Sequence, residues 1–194
     1  MAEKKYVYPF DEAYGLGKEL LGGKGAGLAE MSHIGVPVPE GFTITTEACT
    51  LYYESGKEIP AFVVDQIFEA VKGIEKKTGK TFGGSKNPLL VSVRSGARVS
   101  MPGMMDTILN LGLNETTCAA IAKETNNERF AMDSYRRFIL MFTNIAKGHP
   151  RDDMDKMLDD LKKANGYKLD TEVTAEQLKE LVAKYKEYYK KTFG

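Results

Sequence analysis

VSVRSGARVSMPGMMDTILNL, residues Val91 to Leu111, sets two arginines and a glycine-containing loop between two runs of strand-forming residues. Leu89 to Val93 has the composition of a strand crossing a core, and it delivers Arg94 at its end. Thr107 to Leu111 reads as the returning strand. An arginine at a strand end suits phosphate, because its planar fork donates two parallel hydrogen bonds and keeps its charge when desolvated. Gly96, Pro102 and Gly103 shape the intervening loop so that it can fold over a ligand.

A second segment, LGGKGAGLAEM at Leu21 to Met31, carries glycines 22, 23, 25 and 27 around Lys24, directly before a helical pattern. N–H groups at a helix start favour an anion, and the lysine adds a mobile charge. Together the two segments describe a polyphosphate site, with Lys24, Arg94 and Arg98 as its cations. The segment is not a P-loop, since Lys18 stands where the first glycine belongs and Gly25 follows the lysine. A dinucleotide fingerprint also fails, with Leu28 in place of its last glycine. A tight glycine turn into a helix with an exposed lysine explains the same residues equally well.

Met101, Met104 and Met105 are too apolar for an ordinary solvated loop, and have two readings: a cover for an adenine, or packing against the rest of the chain. Packing is favoured for two of the three. Asp106 either coordinates magnesium or pairs with an arginine.

Outward from these segments, the chain of 194 residues is long enough for one sizeable core or for a domain with a smaller subdomain. Its 27 basic and 27 acidic side chains cancel, so no overall field draws it to nucleic acid or anionic membrane. Two cysteines, Cys49 and Cys118, and an N-terminus without the apolar core of a signal peptide lead to the expectation of a reducing, cytoplasmic setting. No apolar run approaches the roughly 20 residues of a membrane span.

Up to about Leu113, short β-branched runs at Tyr6 to Tyr8, Phe42 to Thr45, Leu89 to Val93 and Thr107 to Leu111 alternate with helical patterns. One helix starts at Pro60, carries Val64, Ile67, Phe68, Val71 and Ile74 on one face and stops at Gly79. Others run from about Gly25 to Ile34 and from Thr46 to Ser55. Beyond Leu113 the pattern is helical: Phe130, Phe138, Met141, Phe142 and Ile145 mark one helix, and Met154, Met157, Leu158 and Leu161 a second. Thr174 with Gln177 forms a capping box for a third, which carries Leu178, Leu181, Val182 and Tyr185. The expected division is residues 1–112 as an α/β part and 113–194 as a helical subdomain.

The remaining polar candidates have ordinary explanations. His33 and His149 have no metal-ligand spacing to each other or to the cysteines. Arg136 and Arg137 fit a solvated helix face. The lysines interleaved with Tyr185, Tyr188 and Tyr189 are explained by the capped helix without nucleic acid.

LLGGKG followed by LAEM, PEGFTITTEAC at Pro39 to Cys49, the stretch from Val91 to Gly112, and DSYRRF at Asp133 to Phe138 together resemble the N-terminal part of the nucleotide-binding domain of the pyruvate, phosphate dikinase family. Related phosphotransferases share the SVRS core, but the GARVSMPGMMDT continuation favours the dikinases. Val99 replaces a residue that is often small in this motif.

The resemblance implies an α+β fold, the N-terminal part of an ATP-grasp nucleotide-binding domain with a helical subdomain. It implies a phosphotransferase that passes a phosphoryl group from ATP to a histidine on another domain and on to pyruvate, giving phosphoenolpyruvate, AMP and diphosphate. Lys24 matches the lysine of LLGGKG and Arg94 the arginine of SVRSGA, both implicated there in binding ATP phosphates; Arg94 is the expected catalytic residue. Gly22, Gly23, Gly103, Met104, Asp106 and Thr107 complete the expected nucleotide-contacting set, and no metal ligand is assigned in this chain. The cofactors implied are ATP and Mg2+, with the metal ligands mostly outside the chain. Phosphate, the phosphohistidine domain and the pyruvate-binding domain are the implied partners, in a homo-oligomeric full enzyme. Because the family's domain continues past residue 194, the chain is expected to be a fragment inactive alone; the alternatives are a non-catalytic binding or assembly module, or one half of a split dikinase.

Overall fold

The computed structural model describes residues 4–96 and 106–194. The described residues form a mixed helix and sheet, α+β, structure in two compact units. One holds the residues up to Lys80 together with Ser95 and Gly96; the other holds Thr81–Arg94 and Asp106–Gly194. The strands in Thr81–Arg94 and the strand after Asp106 belong to the same unit as the helices that follow them.

In the first unit, β1 (Val7–Pro9) pairs antiparallel with β2 (Phe42–Ile44), with Val7 opposite Ile44 and Pro9 opposite Phe42. Helix α1 (Gly17–His33) lies between them in sequence, and α2 (Thr46–Glu54) and α3 (Ala61–Thr78) follow. The Thr45 hydroxyl accepts from the Ala48 N–H to cap α2, and Gly79 closes α3 in the left-handed conformation. Pro60 sits one residue ahead of α3, as its N-cap. The buried face of α3 is shifted from the expected one: Val63 is buried, while Phe68 is 59% exposed. Gln66 extends the ladder edge, its side-chain oxygen accepting from Tyr6 N–H at 2.7 Å and its amide donating to Lys4 O at 2.9 Å. Tyr6, Ala48 and Val63 form one small core, and Ala13, Leu21 and Ala29 another.

The second unit begins with β3 (Thr81–Phe82) parallel to β4 (Pro88–Leu89). β5 (Val91–Arg94) pairs antiparallel with β6 (Thr107–Leu111), Arg94 opposite Thr107, with a bulge between Val91 and Val93. β5 does not cross a core: Leu89 is buried, but Ser92, Val93 and Arg94 are exposed. Helices α4 (Glu115–Thr125), α5 (Glu128–Met141), α6 (Asp152–Asn165) and α7 (Ala175–Phe193) complete the unit, with a π-helical turn at Phe142–Ala146. α4 carries no long apolar stripe and was not expected; Asn114 and Thr117 cap it reciprocally.

The second unit's core joins Cys118, Ala131, Tyr135, Ile139, Met154, Leu178, Leu181 and Tyr185. Phe130 is 51% exposed, because the buried track of α5 runs through Ala131, Tyr135 and Ile139, one position further on. The α7 capping box forms as expected, with Gln177 N–H donating to the Thr174 hydroxyl and Thr174 N–H to the Gln177 side chain.

Candidate phosphate-binding site

Helix α1 is interrupted at Gly22, whose backbone (φ 69°, ψ 171°) cannot continue a right-handed helix. A fresh helical run therefore starts at Gly23 and Lys24, close to the expected start at about Gly25, and the helical stretch from Gly17 that precedes it lies outside the expected helix. N–H groups at such a start are oriented toward an anion. Gly25 serves packing instead: a methyl group there would meet both branches of Thr43 on β2 at 2.8 Å. Lys24 is exposed, and its ammonium donates to the backbone carbonyl of Ser95 at 3.0 Å. Nothing in the sequence pattern signals this contact, since the acceptor is a main-chain atom 71 positions away.

In the second unit Arg94 ends β5 and is exposed, opposite Thr107, with Asp106 directly before β6. The antiparallel pairing thus brings Arg94 and Thr107, two of the expected site residues, side by side. Gly103 and Met104, like Arg98, Met101, Pro102 and Met105, lie outside the described residues. Among the described residues no group of three or more histidine, cysteine, aspartate or glutamate side chains could hold a metal ion.

The DSYRRF segment has a structural role that differs from the expected solvated face. Arg136 is buried, and both its Nε and an Nη donate to Asp133 Oδ1, at 2.9 and 2.8 Å. Arg137 is the exposed member and pairs with the other oxygen of Asp133 at 2.7 Å. The sequence offered no sign that two adjacent arginines would divide in this way. Arg129, also unremarked in sequence, donates to the carbonyls of Val173 and Asp170 and ties α5 to the start of α7.

The histidines are held by aromatic neighbours. His33 stacks on Tyr14 at 3.6 Å, and His149 Nε2 lies 2.8 Å from the Tyr188 hydroxyl, which donates to Asp153. An open apolar cavity of about 670 Å³ in the second unit is lined by Leu113, Phe138, Phe142, Ala183 and Tyr189 among others. Lys186, Glu187 and Lys190 also line it, and it contains none of the expected phosphate-binding residues. No helix among the described residues is long and apolar enough to cross a membrane.

Residues 18–63 and 55–137 match the family model described as pyruvate phosphate dikinase, AMP/ATP-binding domain. The pyruvate, phosphate dikinase of Clostridium symbiosum is 54% identical over 190 residues, covering 98% of this chain and 22% of that protein. The Entamoeba histolytica enzyme of the same name is 53% identical over 191 residues, 96% of this chain and 22% of its own length. Pyruvate, phosphate dikinase 1 of Zea mays, a chloroplastic protein, is 50% identical over 190 residues, 96% and 20% respectively. The chain thus spans about a fifth of the length of these relatives. With the matched residues extending from Lys18 through the segments that contain Lys24, Arg94 and DSYRRF, the chain belongs to the family of the pyruvate phosphate dikinase AMP/ATP-binding domain.

Proposed function

We propose that this chain forms part of the ATP site of a pyruvate, phosphate dikinase, within an ATP-grasp domain. The observation that carries the reading is the family match across residues 18–137, which includes both LLGGKG and SVRSGA. In this reading Lys24 and the N–H groups following Gly22 meet the phosphate chain of ATP, and Arg94 offsets the charge that develops as the phosphoryl group leaves. Asp106 and Thr107 flank that arginine, and Gly103 and Met104 belong to the same nucleotide-contacting set. Magnesium, if used, draws its ligands mostly from other parts of a longer polypeptide. The phosphoryl acceptor histidine and the pyruvate site are likewise contributed by other domains.

On this reading the chain binds ATP weakly and does not turn it over, because in-line transfer needs closure and metal neutralisation as well as a cationic wall. The test is an NMR titration of the labelled chain with Mg-ATP. Saturable shifts at the amides of Gly23, Lys24 and Arg94, lost in Lys24→Ala and Arg94→Ala, are expected. Absence of shifts at these amides in the native chain at millimolar nucleotide would refute the site. AMP formation from ATP, phosphate and pyruvate is expected to need the remaining domains; turnover by the purified chain alone would contradict the need for them. Restoration of activity by a separately made downstream segment would favour the split-enzyme reading.

A further inference from the structure

Lys24 does more in the ligand-free chain than present a charge. Its backbone is anchored, since the neighbouring Gly25 is buried against Thr43 and Leu21 is buried in the α1 core. From that base the ammonium reaches the Ser95 carbonyl at 3.0 Å, within the same compact unit. Ser95 directly follows Arg94, the last residue of β5. An ammonium has three protons to donate. One directed at Ser95 leaves two for another acceptor.

We propose that Lys24 is a positioning residue for the main chain at Ser95, holding that carbonyl before any nucleotide arrives. The role deepens the ATP reading, on which its importance for nucleotide binding rests, but the contact itself requires no ligand. It distinguishes Lys24 from a free surface cation: neutralising the side chain removes a charge and also one donor to the backbone that follows Arg94 in sequence. A longer, charged replacement retains a donor, whereas an apolar one of similar length does not.

The experiment compares the ligand-free native chain with Lys24→Met and Lys24→Arg by triple-resonance NMR. Loss of a charged donor from Ser95 O is expected to move the Ser95 carbonyl carbon upfield and to shift the Gly96 nitrogen in Lys24→Met. Lys24→Arg is expected to restore both toward native values. The Thr43 resonances, which report α1 packing at Gly25, serve as the folding control and stay near native in both variants. A Ser95 carbonyl unchanged in Lys24→Met would overturn the proposal, as would a shift of equal size in Lys24→Met and Lys24→Arg. Addition of inorganic tripolyphosphate to the native chain separates the two readings. No response at Lys24 with an intact ligand-free effect at Ser95 removes the phosphate site and leaves the positioning role standing.

Discussion

Arg136 and Asp133, one turn apart on α5, form a buried ion pair in which two guanidinium N–H groups converge on a single carboxylate oxygen. Asp133 is buried, so its charge is held by these partners rather than by water. The Asp133 carboxylate also takes Arg137 on its other oxygen, and Arg136 lies 3.9 Å from Asp170.

Arg136→Met is expected to destabilise the second unit by about 1–3 kcal/mol, the cost of removing a buried hydrogen-bonding partner while Arg137 still pairs with Asp133. Adding Asp133→Leu should recover most of that loss, since an apolar pair of similar volume requires no compensation. Urea unfolding midpoints of the two variants check this. Equal losses in the single and double variants would show that the pair is not electrostatically coupled.

The α1 glycines should separate by role. Gly25→Ala places a methyl group 2.8 Å from Thr43 and is expected to cost about 1–3 kcal/mol, the range for overpacking. Gly27→Ala meets nothing within 4 Å and should be neutral or stabilising by up to about 1 kcal/mol through helix propensity. Thermal unfolding of both variants distinguishes packing from loop chemistry. Equal effects would argue against the tight contact with Thr43.

Cys118 is completely buried and Cys49 is exposed. Burial, with a smaller contribution from Glu128, raises the Cys118 thiol above its ordinary value. The thiol form is the one the fold favours, so its stabilising contribution is intact below about pH 8.5 and is lost as pH rises beyond it. A thiol reagent at neutral pH should label Cys49 quickly and Cys118 only after unfolding. Rapid labelling of both in the native chain would contradict the packing of α4.

Asp170 is held below the ordinary aspartate value, first by the hydrogen bond from Lys162 and further by the charges of Lys162, Arg136 and Arg137. A depressed carboxylate stabilises the fold above its unfolded value of about 3.9, and that contribution disappears as pH falls through the lower folded value. Asp170→Asn should therefore be less stable than the native chain at pH 7 and approach it below about pH 4. Denaturant midpoints across that range provide the check. A difference that is constant with pH would exclude the ionic contribution.

The sequence by itself announced the ends of elements, because capping and turn chemistry are local. Gly79 at the end of α3, the Thr174–Gln177 box of α7 and the strand from Thr107 to Leu111 could all be read from neighbours a few residues away. The motifs containing Lys24 and Arg94 were legible for a similar reason, as contiguous runs of unusual composition. Burial was another matter. Phe68 and Phe130 satisfy an apolar pattern yet lie exposed, while Arg136 satisfies a solvated one and is buried, since which side of a helix faces a core depends on elements far along the chain. The packing of Gly25 on Thr43 and the reach of Lys24 to a main-chain carbonyl at Ser95 were likewise decided only by the tertiary structure. Both join segments that no local periodicity connects, and one of the partners is backbone, which is chemically the same at every residue and so leaves no mark in the sequence.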